Sequence, residues 1–301
     1  MSEPLHIPVL RDEVLAHLAP RPGGRYVDAT INGGGHTRAL LEASAPDGRV
    51  LGIDRDPAVL AILRADLADA IETGRLTVAH ASFAALRAVL DEHHVGPVDG
   101  ILFDLGLSSF HLDASERGFS FQRNEPLDMR FDPTEVDRDT AADILDSHSA
   151  EELTALLRTY GEERFASRIA RTVVARRRSE PLRTTADLLD AVTQSLPPNV
   201  RWRAARDAAR VFQALRIATN AELEAVAAAL PHASAALAPG GRLVVLAFHS
   251  LEDRLVKTFL RAEQQVGRLR VLTKKPIQPG DAEIAANPRA ASAKLRAAER
   301  V

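Results

Sequence analysis

The sequence predicts an α/β protein, in which a Rossmann-like, doubly wound parallel sheet is interrupted by an inserted helical domain. Three observations support this fold class. Residues 26–56 have the pattern of a strand, a glycine-rich turn, a helix and a second strand. The segment Val98–Leu105 is apolar along most of its length, which is typical of a parallel strand buried on both faces. The alternation of strands and helices then stops until about residue 238, and helical periodicity fills most of the interval.

The prediction of the fold is based mainly on the segment from Tyr26 to Asp56. A buried strand over Tyr26–Thr30 leads into the glycine-rich turn Ile31–Gly35, and His36–Ala45 has apolar residues at helical spacing. Arg49–Ile53 forms the second strand and ends on Asp54. A strand that enters glycines and then a helix N-terminus is typical of nucleotide sites, and the acid about 20 residues later accepts hydrogen bonds from ribose hydroxyls.

The spacing of the glycines argues against a dinucleotide. A G-x-G-x-x-G match that begins at Gly33 needs glycine at position 38, where the chain has Arg38. Asp28, inside the first strand, suits an ammonium or hydroxyl group better than a diphosphate. We interpret the segment as a site for an adenosine ligand without phosphates, of which S-adenosylmethionine is the commonest. An ordinary glycine-rich turn and an NAD site remain the alternatives.

Two further residues follow predicted strands. A helix over Ala58–Ala70 begins after a capping Asp56-Pro57 pair, and a third strand covers Leu76–Ala79. Phe83 follows that strand and either stacks on adenine or belongs to the core. Asp104 lies near the end of the fourth strand, where a buried carboxylate indicates a functional group or a cap of the next segment.

The middle of the chain has a different character. Asp113–Pro133 is too long for an ordinary connection, which favours a functional loop, and Arg138–Leu215 is mostly helical in pattern. Between Arg158 and Arg216 the chain has 13 arginines and six acidic residues, which gives a local net charge of +7. Within this region one helix face carries Arg164, Arg168, Arg171 and Arg178. This face is either an ordinary solvated surface or a ladder of cations that follows a phosphate backbone.

The sheet resumes after the helical region. Ala238–Phe248 is predicted as a turn and a fifth buried strand, and a helix runs from His249 to Leu260. Arg268–Thr273 is a candidate last strand, and the polar, alanine-rich tail ends in a predicted helical piece over Ser292–Arg300. The domain boundaries expected from these patterns are 1–112 for the first part of the sheet domain, 113–215 for the inserted domain and 216–301 for the second part with the tail.

Composition excludes several kinds of chemistry. The chain has no cysteine, which removes disulfides, thiolate metal ligands and covalent attack on a pyrimidine by a cysteine. Its ten histidines show no chelating spacing, so we expect no metal site. No apolar run is long enough to span a bilayer and no signal peptide is visible, so a cytoplasmic location is expected.

The sequence closely resembles the ribosomal RNA small subunit methyltransferase H family, also called MraW, whose members methylate cytidine N4. The resemblance runs in order along nearly the whole chain. The matching stretches are His6–Leu10, Gly33–His36, Gly52–Pro57, Asp99–Gly106 with Ser108-Ser109, Glu116–Phe121, Pro126–Arg130, Tyr160–Phe165, Phe212–Ile217, Ala238–Arg242, Phe248–Arg254 and Asn287–Arg289.

This resemblance implies the Rossmann-like sheet of a class I methyltransferase that uses S-adenosylmethionine, and a cytidine in the decoding region of small-subunit ribosomal RNA as substrate. It further implies that the assembled small subunit is the partner. The cofactor contacts that it implies fall on Gly34, Gly35, His36, Asp54, Phe83, Asp104 and His111. The chain departs from the family at His111, where glutamine is usual, and at Ile31-Asn32, where a small or glycine-containing pair is usual.

The chemistry of the implied reaction suggests further roles. Cytosine N4 is a weak nucleophile, because its lone pair is delocalised into the ring. Asp104 is the best candidate to accept an N4–H hydrogen bond and stabilise the developing charge, and cofactor binding is a competing role for the same side chain. Ser108 or Ser109 is a candidate to orient the base. The loop 113–133 and the helix face with Arg164, Arg168 and Arg171 are the candidate RNA contacts.

Other functions remain as alternatives at the level of the sequence. A methyltransferase acting on DNA cytosine or on a small molecule would share the donor site and differ in the inserted domain. An NAD-dependent oxidoreductase is disfavoured by Arg38. A non-catalytic ribosome-assembly factor that keeps the fold is disfavoured by the intact Gly34, Gly35, Asp54 and Asp104.

Overall fold

The computed structural model describes residues 8–301. The predicted extended lead-in over residues 2–10 lies mostly outside the described residues, as do His6 and Ile7 of the first family motif. Within the described part, the chain divides into two compact units. The first unit comprises residues up to Ser108 together with Leu223–Val301, and the second comprises Ser109–Glu222.

Helices and strands alternate in the first unit. Its strands are β1 Arg25–Asp28, β2 Arg49–Asp54, β3 Leu76–His80, β4 Val98–Asp104, β5 Leu237–Ala247, β6 Leu269–Val271 and β7 Lys294–Arg300. Its helices are α1 Arg11–Leu18, α2 Gly35–Ala43, α3 Pro57–Asp66, α4 Ala68–Glu72, α5 Leu86–Glu92, α12 Glu222–Ala236, α13 Ser250–Gln265 and α14 Asp281–Ala286. Short 3₁₀ turns cover Phe83–Ala85 and Pro288–Ser292.

The seven strands form one sheet in the order β3-β2-β1-β4-β5-β7-β6. The first five strands are parallel to one another, and β7 pairs antiparallel with both β5 and β6. The chain winds outward from β1 in both directions, so the topological switch point lies between β1 and β4, where ligands bind in open α/β sheets. This architecture confirms the predicted Rossmann-like class.

The core explains why these segments are strands. Apolar side chains of β1, β2, β4 and β5 are buried and pack against one face of helices α5, α12 and α13. Other apolar strand residues, among them Tyr26, Leu102 and Val244, are equally buried. A sheet covered on both faces requires the near-continuous apolar runs seen in the sequence. The predicted cap of α3 is confirmed, since the Asp56 carboxylate accepts the N–H of Ala58 at 2.9 Å and Pro57 begins the helix.

The prediction of a helical piece at the end of the chain was wrong. Residues 294–300 form β7, whose residues 294–299 pair with Arg242–Ala247 of β5. Ala297 and Ala298 are fully buried in this strand. Alanine favours helix in isolation, but six paired residues between two neighbouring strands and burial on both faces override that weak preference.

The second unit is mainly helical. Its helices are α6 Ser109–Asp113, α7 Ala141–Ser147, α8 Ala150–Gly161, α9 Ala166–Arg176, α10 Thr185–Ser195 and α11 Ala204–Asn220, with a 3₁₀ segment over Pro198–Arg203. The chain between α6 and α7 is irregular, and buried polar side chains hold it in place. Asn220 donates its amide to the Met129 carbonyl at 2.7 Å and accepts the Phe131 N–H at 2.9 Å. Glu125 accepts the Gly118 N–H at 3.0 Å.

Within residues 8–301, none of the helices has both the length and the apolar character needed to cross a bilayer.

Candidate active site

Acidic residues lie at the carboxyl ends of three neighbouring strands. Asp28 ends β1, Asp54 ends β2 and Asp104 ends β4. All three side chains are buried. Because parallel strands end at the same edge of a sheet, the order β2-β1-β4 brings these carboxyl groups together on either side of the switch point.

The turn after β1 is shaped by residues in the left-handed backbone region. Asn32 has φ 47° and Gly34 has φ 76°, and Gly34 lies directly before α2. A Cβ on Gly34 would lie 2.4 Å from a methyl carbon of Leu63, so glycine is required for packing as well as for conformation. The bend places the N-terminus of α2 at the same edge of the sheet as the acids.

Asp54 is held by two backbone donors. One carboxylate oxygen accepts the N–H of Asn32 at 2.9 Å, and the other accepts the N–H of Asp56 at 2.9 Å. A carboxylate oxygen can accept more than one hydrogen bond. These contacts fix the orientation of the carboxylate, which is the arrangement needed to accept hydrogen bonds from a pair of sugar hydroxyls.

Asp104 is more deeply buried than Asp54, with 3% of its surface exposed. Its Oδ2 lies 3.5 Å from the Asn32 side-chain amide and 3.8 Å from Nε2 of His36. Its Oδ1 is buried and has no hydrogen-bond partner among the residues that the structure describes. Buried carboxyl oxygens are normally paired, so a partner that is not part of the chain is the natural complement to Oδ1.

The pKa of the Asp104 carboxyl is raised to about 8, chiefly because the group is buried. The neighbouring Asp28 and Glu252 carboxylates contribute to the increase, and the Asn32 amide opposes it. Glu252 is buried at the start of α13, where it accepts the backbone N–H of Phe248 at 2.9 Å. A carboxyl group with a pKa near the working pH can accept and release a proton there.

The sequence alone did not reveal the role of Asn32. Its backbone N–H binds Asp54, and its side-chain amide donates to the Asp104 carbonyl at 3.0 Å and lies near the carboxyl group of the same residue. One residue therefore connects the ends of β2 and β4, through its backbone to Asp54 and through its side chain to Asp104. The available signal was an asparagine directly before glycines, since asparagine tolerates the left-handed region better than most residues.

Asp28 is engaged within the fold. Its Oδ2 accepts the Thr37 hydroxyl at 2.7 Å, and its Oδ1 accepts the Thr30 N–H at 3.3 Å. Burial raises the pKa of Asp28 to about 7. The side chain thus joins β1 to the first turn of α2 and contributes to the negative environment of Asp104.

Phe83 follows β3 and lies in the 3₁₀ turn. It is half-buried and packs edge-on against Phe103, with 5.7 Å between ring centroids. Part of the ring thus belongs to the core cluster and part is accessible, so the structure is compatible with both interpretations of this residue.

The remaining candidates fall into two groups. His36 is buried in the first turn of α2. Ser108 is buried at the last position before the chain enters the second unit. Ser109 and His111 belong to α6 in the second unit, where His111 is buried between Phe119 and Phe131 with centroid distances of 5.2 and 5.0 Å. Gly34, Gly35, His36, Asp54 and Asp104 are therefore brought together in the first unit.

The candidate arginines lie in the second unit. Arg164, Arg168 and Arg171 are exposed along the start and outer face of α9, whose opposite face buries Ile169 and Val173. Two neighbours on the same helix have structural partners instead. Arg176 pairs with Asp190 at 2.8 Å, and Arg177 donates to the Leu145 and His148 carbonyls at 2.6 Å.

Comparisons with known proteins place this arrangement in a family. The family model described as the MraW methylase family matches residues 3–301. A protein of Thermomicrobium roseum named ribosomal RNA small subunit methyltransferase H is 52% identical, and the match covers 100% of this chain and 96% of the relative. A protein of Heliobacterium modesticaldum with the same name is 46% identical, with 98% of each chain covered.

The solved structures that match the chain are more distant. An rRNA methylase from Streptococcus thermophilus matches with a TM-score of 0.43 at 12% identity, covering 100% of this chain and 98% of that one. A SAM-dependent O-methyltransferase from Thermotoga maritima matches with a TM-score of 0.41 at 11% identity, covering 98% and 67%.

The assignment rests on the family model and the close relatives, both of which extend over essentially the whole chain. The chain belongs to the MraW methylase family, and its methyl donor is S-adenosylmethionine.

Proposed function

We propose that this methyltransferase transfers a methyl group from S-adenosylmethionine to N4 of a specific cytidine in the decoding region of 16S small-subunit ribosomal RNA. The observation that supports this most directly is the Asp104 carboxyl group, which is buried and has one oxygen without a hydrogen-bond partner among the described residues. The relatives that share its family bear the name of a small-subunit ribosomal RNA methyltransferase. The motifs resemble those of cytidine N4-methyltransferases.

The residues present fit the methyl donor. We assign its binding to Gly34, Gly35, His36, Asp54, Phe83 and Asp104, with His111 as a further candidate. Asp54 presents fixed carboxylate oxygens to sugar hydroxyls, and Phe83 presents the accessible part of its ring to the adenine. S-adenosylmethionine, when bound, supplies an electrophilic methyl group on a positively charged sulfur.

Asp104 can act on the amine in two ways. Its Oδ1 can accept one N4–H, which orients the amine so that its remaining electron density points at the methyl carbon. When the new carbon–nitrogen bond forms, the bond between the methyl carbon and sulfur breaks and its electron pair would remain on sulfur, which becomes neutral. N4 then carries the positive charge and its N–H becomes acidic. An ionised Asp104 stabilises that charge and then takes the proton, which leaves a neutral methylamino group and a protonated carboxyl.

The ionised form of Asp104 is disfavoured in the free protein, because burial raises the pKa of this carboxyl to about 8. A nearby positive charge would favour ionisation, so the carboxylate would be generated when the cationic donor is bound. A role for Asp104 in cofactor binding alone is the competing assignment. Substitutions of Asp104 separate this role from catalysis.

The RNA would be held by other parts of the chain. We assign substrate contacts to the inserted domain, with the exposed Arg164, Arg168 and Arg171 facing phosphates and with Ser108 or Ser109 as candidates to orient the base. The proposed substrate is the assembled small subunit in the cytoplasm. A target base inside folded RNA must leave its stack to reach a buried carboxyl group.

The experiment that tests the proposal is methylation of defined substrates. The purified protein is incubated with labelled S-adenosylmethionine and small ribosomal subunits, naked 16S ribosomal RNA, cytosine-containing DNA or free nucleosides. Modified nucleosides are then identified by mass spectrometry. We expect N4-methylcytidine at one position of the subunit RNA. Methylation of DNA or nucleosides in preference to RNA, or of another atom, would contradict the proposal.

Asp104→Asn and Asp104→Ala should each lower kcat by about 100-fold or more, because neither side chain can take a proton from N4. In the wild type, kcat/KM for the methyl donor, which reports the free protein, should rise as the pH passes through about 8, because the pKa of Asp104 is raised there and only the ionised form acts. Single-turnover methylation across pH measures both effects. A variant that binds the donor normally but does not turn over supports the catalytic role, whereas near-normal turnover removes it.

Asp54→Ala should weaken donor binding by roughly tenfold or more, because hydrogen bonds to a charged group are lost. Calorimetric titration with S-adenosylmethionine measures this change. The matched control is Asp56→Ala, which removes the cap of α3 and should lower stability by about 1 kcal/mol without the same loss of affinity. Equal donor affinity in wild type and Asp54→Ala would argue against the ribose contact.

Asn32→Gly should move the alkaline rise of kcat/KM to higher pH. The variant keeps the left-handed backbone of position 32 but removes the amide that lowers the pKa of Asp104. Activity at pH 7 should therefore fall several-fold and recover towards wild type at higher pH, with a folded protein of similar melting temperature. An unchanged pH profile would show that the Asn32 amide does not influence Asp104.

Replacing Arg164, Arg168 and Arg171 together by alanine should weaken RNA binding and flatten its dependence on salt, by about 2 in the slope of log K against log salt concentration if each contacts a phosphate. The control replaces Arg87, an exposed arginine of the first unit that pairs with Asp91 at 2.9 Å. If the triple variant has the wild-type salt slope, this face of α9 does not contact RNA.

A further inference from the structure

The chain has a single tryptophan, and it is exposed. Trp202 lies in the 3₁₀ segment Pro198–Arg203 with 82% of its surface accessible. The other strongly exposed large apolar residues of the described chain are valines, namely Val136, Val266 and Val301. An exposed tryptophan gives up the large free-energy gain of burying its side chain, so the position of Trp202 indicates that the indole is covered by a bound ligand.

The residues that flank Trp202 are anchored. Arg201 donates its Nε to the Leu196 carbonyl at 3.3 Å. Arg203 pairs with the fully buried Asp207 at 3.3 Å. The backbone on both sides of the indole is therefore tied to the rest of the unit, and Trp202 extends from a fixed position rather than from a loose loop.

The surroundings of Trp202 are positively charged. Residues 198–210 contain four arginines and one acid, and that acid is the buried Asp207. Arg201 and Arg206 are exposed, and Arg206 forms no ion pair with any residue that the structure describes. Farther along α11, Arg210 lies 3.7 Å from Glu163, which directly precedes the exposed Arg164. The segment that leads into α9 therefore lies beside α11, one helical turn beyond Arg206.

We propose that Trp202 stacks on an unpaired base of the RNA substrate while Arg201 and Arg206 contact the adjoining phosphates. An aromatic plane between guanidinium groups is the combination that binds single-stranded nucleic acid, because stacking holds the base and the cations hold the backbone. The exposed neighbours of Trp202 on α11 are Ala205, Arg206 and Ala209, which offer little apolar surface to a protein partner. This assignment deepens the proposed function and rests on RNA being the substrate.

The sole tryptophan provides its own spectroscopic probe. The full-length protein is titrated with an unstructured RNA oligonucleotide, and the same RNA annealed to its complement serves as the control. Stacking should quench the indole emission with the single strand, while the duplex should quench it much less. An emission spectrum that does not change although the single strand binds would overturn the proposal.

Three variants test the stacking itself. Trp202→Leu keeps an apolar side chain without a π face and should weaken binding to small ribosomal subunits by roughly 5- to 100-fold. Trp202→Phe should retain most of the affinity. Arg206→Ala should reduce the slope of log K against log salt concentration by about the contribution of one phosphate contact. Trp202→Leu should leave that slope nearly unchanged. Cosedimentation of labelled protein with subunits measures all three, and thermal melting confirms that the exposed substitutions leave the fold intact.

The outcomes separate this inference from the proposed function. If Trp202→Leu binds subunits as wild type does, the stacking proposal fails even when wild-type methylation of subunit RNA is observed. If the emission of Trp202 changes with protein concentration in the absence of RNA, and Trp202→Leu abolishes self-association, the residue contacts a second copy of the chain and the proposal also fails. Absence of methyl transfer to any ribosomal RNA, with quenching by single strands retained, would remove the proposed function and leave the RNA contact.

Discussion

The site depends on hydrogen bonds that Asn32 makes to two acidic residues at the ends of neighbouring strands. Several buried carboxyl groups at one sheet edge repel one another and lose their hydration, which is costly unless donors compensate. Asn32 supplies a backbone donor to Asp54 and a side-chain donor to the carbonyl of Asp104. The left-handed conformation of Asn32 allows both hydrogen bonds. The conformation of the turn, the order of the strands and the electrostatic environment of Asp104 therefore depend on one another.

The arginines of the second unit serve two different purposes. Arg176 and Arg177 donate to backbone carbonyls, and Arg203 pairs with a buried carboxylate, so these arginines hold helices and loops together. A second group, which includes Arg164, Arg168 and Arg206, is exposed. Composition cannot distinguish these groups, because the guanidinium is suited both to internal carbonyls and to external phosphates. Only the partners visible in the fold show which cations are available to a nucleic acid.

Much of the fold was predictable from local patterns. Strands β1, β2 and β4 are largely apolar segments that follow glycine or proline and end on aspartate, and the Asp56-Pro57 cap marks the start of α3. The site acids Asp54 and Asp104 could be found because each ends such a run. Two features were not predictable. β7 is an alanine-rich segment whose strand form depends on partners distant in sequence. The role of Asn32 depends on the distance between β2 and β4, which sequence spacing does not encode.

The place of β7 in the sheet has a consequence for biosynthesis. This strand lies between β5 and β6, although it is made after both. A nascent chain that stops before Lys294 would leave the edge of β5 with unpaired backbone groups beside apolar side chains, which is a template for aggregation. Chains that lack β7 should therefore refold poorly and be degraded readily, so the sheet can be completed only when β7 is present.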